Sequence, residues 1–202
     1  MFISFEGIEG SGKSTLLSAV EATLRKEGRD LVVTREPGGT PAGDAIRRVF
    51  IEPHFELSPM AETLLVNASR AQLVADVIEP ALKDRKLVLC DRYVHSSLAY
   101  QGYGRQQSLD AVRAICNAAT GGLMPDLTLL IDVSYETSRE RLHRRGKTDD
   151  RLEKMEEAFH RRARAGFLEL AKADPRIVVI DGEQSEERVY ESAMKAIARA
   201  LT

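Results

Sequence analysis

Eight consecutive residues, Gly7-Ile8-Glu9-Gly10-Ser11-Gly12-Lys13-Ser14, carry the spacing G-x-x-x-x-G-K-S. Glycines at these positions let successive backbone N–H groups turn inward around phosphate oxygens. A helix starting directly after the loop adds partial positive charge at the same place. Lys13 is of the right length to reach β- and γ-phosphates, and the Ser14 hydroxyl suits Mg²⁺. The apolar run Met1–Phe5 precedes the loop, and Leu16, Leu17, Val20 and Leu24 follow it on one helical face. The order strand, loop, helix is the context this motif needs, so the chain is expected to bind ATP or another nucleoside triphosphate with Mg²⁺.

Further chemistry-bearing residues sit where strands should end. The run Lys86–Cys90 leads into Asp91-Arg92-Tyr93. An apolar strand ending in aspartate supplies a carboxylate beside the metal in phosphate-loop enzymes, which assigns Ser14 and Asp91 to Mg²⁺. Asp30–Thr34 leads into Arg35-Glu36-Pro37-Gly38-Gly39-Thr40, and Arg70 lies between apolar neighbours on a helical pattern. Ser96 to Gly102 forms a polar patch, and residues 139–164 hold ten arginines and lysines around Gly146. Neither N-K-x-D nor D-x-x-G occurs, against a guanine-nucleotide switch. Arginine follows Asp91 where a water-activating glutamate would stand in a motor ATPase. A kinase must instead grip an acceptor, exclude water and cover the reaction with positive charge. Arg35 and Arg92 suit an anionic acceptor, and the basic segment suits a lid. These residues read as a nucleoside monophosphate kinase. The four histidines, His54, His95, His143 and His160, have no metal-ligand spacing and are read as non-catalytic.

The elements that must position these groups follow from periodicity. Apolar strands alternate with amphipathic helices, without hairpin signals. The expectation is an α/β phosphate-loop NTPase fold: a five-stranded parallel sheet with helices on both faces, built as one kinase domain over residues 1–202 with a lid at about 141–152. Within 41–57 a helix carrying Ala45, Ile46, Val49 and Phe50 is expected, then an irregular piece around Pro53; further helices are expected from Pro59 or Met60 to about Lys83, at 108–119, at 135–145, from Arg151 to about Ala173, and from about Glu186 to Leu201. A net charge of −2 over 202 residues argues against general nucleic-acid affinity. Two separated cysteines, the absence of a signal-peptide pattern and the lack of any long apolar run point to a cytoplasmic protein with no membrane partner.

Six segments together resemble bacterial thymidylate kinases along nearly the whole chain: FEGIEGSGKST, TREPGGT at 34–40, SRAQL at 69–73, DRYVHSSLAYQG at 91–102, PDLTLLIDV at 125–133 and DRLE at 150–153. The resemblance implies phosphoryl transfer from ATP to dTMP. It places the ATP phosphates on Lys13 and the loop amides, Glu9 near the acceptor's sugar and phosphate, and Arg35 and Arg92 on the dTMP phosphate. It also places Arg70 at thymine O4, Tyr100 against the sugar, and Ser97 and Gln101 near the base. The family carries its catalytic arginine either in the phosphate loop or in the lid. Gly10-Ser11 holds none, so the lid type is implied, with Arg145 as the catalytic arginine and Arg141, Arg144 and Arg151 as helpers. Val66 stands where the family usually has a base-stacking phenylalanine, which implies weaker dTMP binding or another aromatic in that role. The resemblance further implies a homodimer, with the helices at 60–83 and 108–119 as candidates for its interface.

Overall fold

The computed structural model describes residues 1–146 and 151–201. Five strands, β1 (Phe2–Glu6), β2 (Leu31–Arg35), β3 (Leu87–Asp91), β4 (Leu127–Asp132) and β5 (Ile177–Asp181), form one parallel sheet in the order β2-β3-β1-β4-β5. The register aligns Asp91 with Phe5 of β1 on one side and with Arg35 of β2 on the other. The loops that leave β1, β2 and β3 therefore open side by side at the carboxyl edge. That is the crevice where open α/β sheets hold ligands.

The three central strands, β1, β3 and β4, are buried on both faces, as in other parallel sheets. Phe2, Val88, Cys90 and Leu130 pack under one helical layer with Leu73, Ile78, Val112 and Phe167. Ile3, Phe5, Leu89 and Leu129 pack under the other with Leu16, Val20, Ala193 and Ile197. The second layer comprises α1 (Lys13–Lys26) and α9 (Glu186–Ala200). The first contains α3 (Pro59–Leu73), α4 (Glu79–Lys83), α5 (Val94–Ser97), α6 (Leu109–Thr120) and α8 (Glu157–Ala173). Helix α2 (Pro41–Ile51) packs on α3, and α7 (Tyr135–Arg145) follows β4. Both α2 and α3 start on hydroxyl caps followed by proline: Thr40 accepts from the Gly43 N–H and Ser58 from that of Ala61.

Two helices differ from expectation. The single helix expected from Pro59 to Lys83 is interrupted by a π-helical turn at Val74–Ile78. Pro80 lacks an N–H for the carbonyl four residues back, so the wider turn absorbs the mismatch ahead of it. The helix expected from Arg151 begins instead at Glu157. Arg151 is drawn out of helical geometry because its N–H donates to Ile51 O at 3.1 Å and its Nε to Phe50 O at 2.8 Å. Of the expected lid, residues 147–150 lie outside the described residues.

Candidate active site

The loop after β1 is held so closely that only glycine fits at two turns. Gly7 has φ +140°, and a Cβ there would lie 2.4 Å from Ile131 O. Gly10 has φ +71°, and a Cβ would lie 2.6 Å from Ser138 O. The loop is thereby pressed against β4 and α7 while α1 starts at Lys13. Lys13 Nζ folds back onto the loop, donating to Gly7 O at 3.0 Å, Ile8 O at 2.9 Å and Ser11 Oγ at 3.4 Å. Burial, with the Arg92 charge nearby, pushes the Lys13 ammonium down to about 8. Ser14 Oγ donates to Asp91 Oδ2 at 2.9 Å, so the hydroxyl and carboxylate assigned to the metal are brought together.

Directly after Asp91 the backbone turns left-handed at Arg92, φ +73°, which is strained for a residue with a side chain. The turn aims the guanidinium back across the phosphate loop. Its two terminal nitrogens donate to Gly7 O at 3.0 Å, Ser96 Oγ at 3.0 Å and Glu9 Oε1 at 2.8 Å, and the guanidinium lies 5.0 Å from the Tyr100 ring centroid. The Tyr100 hydroxyl donates to Glu9 Oε2 at 2.8 Å. Burial alone would raise the Glu9 carboxyl, but the Arg92 and Lys13 charges hold it below its ordinary range. His160 brings Nδ1 to 3.8 Å from the same carboxylate, and its Nε2 is buried with no partner.

Glu9, Lys13, Ser14, Asp91, Arg92 and Tyr100 line a cavity of about 230 Å³. Of the predicted acceptor residues, Glu9, Arg70, Arg92, Ser97, Tyr100 and Gln101 all face it. Arg35 does not; its side chain is 59% exposed and lies 3.5 Å from Asp44. Arg47, twelve residues further along and on α2, lines the cavity instead and donates to Pro37 O at 2.9 Å. Nothing in the tandem Arg47-Arg48 distinguishes it from a solvated helix face. Phe50, also on α2, lines the cavity with Val66, so an aromatic ring stands in its wall.

A second cavity, about 470 Å³, lies on the other side of the loop and is lined by Ser11, Gly12, Thr15, Arg141 and Tyr190 among others. Gly10, Lys13, Ser14 and Arg145 line both cavities. Arg141 is spent on backbone, donating to Ser11 O at 3.2 Å and Gly182 O at 2.9 Å.

The cavity wall at Gln101 is braced from behind by Glu62, a residue with no obvious signal in the sequence. It is fully buried and accepts from Gln101 Nε2 at 2.8 Å, Arg105 at 2.8 Å and Arg151 at 2.7 Å. Arg151, named above as a lid helper, is thus buried beneath α3, with its guanidinium 5.2 Å from the Phe50 ring centroid. Removing one partner of such a buried ionic cluster leaves uncompensated charge. Glu62→Ala is expected to cost about 3–5 kcal/mol in chemical denaturation, and Glu62→Gln less.

Known proteins match this chain throughout. A family model described as "Thymidylate kinase" matches residues 5–193. The thymidylate kinase of Deinococcus radiodurans is 49% identical over 199 residues, covering 98% of this chain and 96% of its own. That of Kosmotoga olearia is 49% identical over 202 residues, covering 100% and 97%. A crystal structure of thymidylate kinase from Ehrlichia chaffeensis superposes with a TM-score of 0.79 at 31% identity, covering 98% of each chain. Similarity of this degree, spanning the phosphate loop, the strand-end residues and the helices that wall the cavity, leads to one conclusion: the chain belongs to the thymidylate kinase family.

Proposed function

We propose that this protein transfers the γ-phosphoryl group of ATP to dTMP, giving dTDP and ADP, for dTTP synthesis. The observation that carries the reading is the junction of the two cavities. Lys13, Ser14 and Arg145 face both, so a donor phosphate on the loop and an acceptor phosphate beside Arg92 meet over one set of cationic and hydroxyl groups. The acceptor's phosphate oxygen is already ionised and needs no general base. It forms the new bond to the γ-phosphorus as the bond from that phosphorus to the β–γ bridging oxygen breaks, and ADP leaves with that electron pair.

The residues divide the work by position. The loop amides from Gly7 to Ser14, with Lys13, hold the donor phosphates. Arg92 and Arg47 grip the acceptor phosphate, and Arg35 joins them only by turning from Asp44. Glu9 orients Arg92 and Tyr100, and Tyr100 fills the space a ribose 2′-hydroxyl would need. Arg70, Ser97 and Gln101 face the base. Arg70 NH1 is spread over Asn67 Oδ1 at 2.8 Å, Ser97 Oγ at 3.0 Å and Cys116 Sγ at 3.5 Å, which makes it the donor most easily released to O4. Ser14 and Asp91 present oxygen ligands, the set Mg²⁺ prefers, and would hold it. When bound, the ion neutralises charge on the β- and γ-phosphates.

The working form is a cytoplasmic homodimer. Met60 and Leu64 leave 44% and 52% of their surface exposed on α3, and α6 beside it exposes Ala111, Ala114 and Ala118. No helix among the described residues is long and apolar enough to cross a membrane.

The test is ADP release from ATP and Mg²⁺ with dTMP, dUMP, dCMP, dGMP and thymidine as separate acceptors. Turnover should be strongest with dTMP and fall at least about 100-fold in Arg92→Ala. Turnover with thymidine but not dTMP would reject the assignment.

A further inference from the structure

Glu6 ends β1, is fully buried and lines neither cavity, yet it is tied to the strained turn at Arg92. Its Oε1 accepts the Tyr93 N–H at 2.8 Å, and its Oε2 accepts the Ser96 hydroxyl at 2.5 Å. The Ser96 oxygen in turn accepts from Arg92 Nη1 at 3.0 Å. Arg92 therefore sits at φ +73° between two anchored peptides: its own N–H donates to Phe5 O at 3.0 Å, and the next N–H donates to Glu6. One carboxylate holds both the backbone just after Arg92 and, through one hydroxyl, the tip of its side chain. Burying a carboxylate is costly. A side-chain-bearing residue keeps a positive φ only where its surroundings over-determine it.

We propose that Glu6 is a positioning residue for the acceptor phosphate: it sets the direction of the Arg92 guanidinium without touching either substrate. This rests on Arg92 gripping the dTMP phosphate and names the group that aims it. The other terminal nitrogen of Arg92 donates to Glu9 at 2.8 Å, so two carboxylates fix one guanidinium, one from within the phosphate loop and one from the residue before Gly7. The grip on the acceptor is thereby held in register with the loop that cradles the donor, which is the geometry an in-line transfer needs. Both groups that Glu6 meets are donors, and a carboxylate, with no proton of its own, accepts from both. Without it the peptide after Arg92 loses its acceptor, and Ser96 loses the partner that orients its oxygen toward Arg92.

Glu6→Gln tests this with little change of shape. Its amide oxygen can still accept the Tyr93 N–H, but its NH₂ then faces Ser96, whose proton loses its acceptor. The probes are dTMP and thymidine, bound without ATP and followed by titration calorimetry. They share base and sugar and differ by the phosphate, so the ratio of their affinities isolates the grip. The variant should bind dTMP about tenfold more weakly and thymidine within about twofold of native, with the KM for ATP unchanged. A double-mutant cycle gives the second readout. In an Arg92→Ala background, Glu6→Gln should change dTMP affinity by less than about twofold, because no guanidinium is left to aim. Equal losses for dTMP and thymidine, or an effect of Glu6→Gln undiminished by Arg92→Ala, would show that Glu6 only holds the fold, and would overturn the proposal. If Glu6→Gln does not fold, Ser96→Ala cuts the same chain of hydrogen bonds. It should weaken dTMP about fivefold, leave thymidine within about twofold, and have no further effect in Arg92→Ala. Native dTMP affinity in Ser96→Ala overturns the proposal. An Arg92→Ala variant that keeps the native preference for dTMP over thymidine would instead reject the Arg92 grip itself, and the proposal with it.

Discussion

Replacing Arg145 with alanine is expected to lower kcat for dTMP phosphorylation roughly 10³-fold while leaving KM for dTMP within a few fold. Arg145 is the last residue of α7, and Gly146 caps it in a left-handed conformation with φ 64°. The side chain is 40% exposed, lies 2.7 Å from Glu153 Oε1 and lines both cavities. A cation at that junction matters most when charge builds on the β–γ bridge, after both substrates are bound. Its loss should therefore appear in the chemical step, and single-turnover kinetics with saturating dTMP would locate it there. Arg145→Lys should recover part of the rate, since it keeps the charge but loses the planar fork. An undiminished rate in Arg145→Ala would move the catalytic charge elsewhere in the basic segment.

Lys13→Met is expected to lower kcat/KM for ATP by about 10³-fold, and the native lysine should make ATP binding pH-dependent. In the free protein Lys13 satisfies itself on Gly7 O, Ile8 O and Ser11 Oγ, so the phosphates must displace these contacts. Its ammonium is pushed down to about 8 by burial, then by the Arg92 charge. The cation is the form that binds phosphate, and bound phosphates raise its pKa again. ATP affinity is therefore fully present below pH 8 and weakens as pH rises through that value, by about tenfold per unit until the bound form also titrates. Titration calorimetry at pH 8.5 in buffers of different ionisation enthalpy should record proton uptake on ATP binding. Lys13→Met should abolish that uptake. If the slope persists in the variant, it belongs to another group. Glu6 is the first to examine, because burial raises its carboxyl to about 7 at the end of β1, directly before the phosphate loop.

The phosphate loop was legible because its geometry is local. Positive φ angles at Gly7, Gly10 and Gly12, a strand before and a helix after lie within one short stretch, and no distant residue is needed to read them. The alternation of apolar strands and amphipathic helices was legible for the same reason, and with it a five-stranded parallel sheet. Strand ends were informative too: Asp91 and Arg92 follow β3 directly, and strand register alone brings them beside the loop.

The parts that only the tertiary structure decided are contacts between segments far apart in the chain. Arg35 and Arg47 are alike as residues, yet the packing of α2 on α3 turns Arg47 into the cavity and leaves Arg35 beside Asp44. Arg151 reads as a helix start within a basic stretch, yet Glu62 and the Phe50 carbonyl draw it inward. Glu36 reads as half of a charged turn, and only the fold buries it against Arg70 with one oxygen unmet. Periodicity along a chain reports which face of an element is apolar. It carries no information on which distant charge will meet a buried group, because that pairing is settled by how helices pack and by the cost of leaving a charge unpaired.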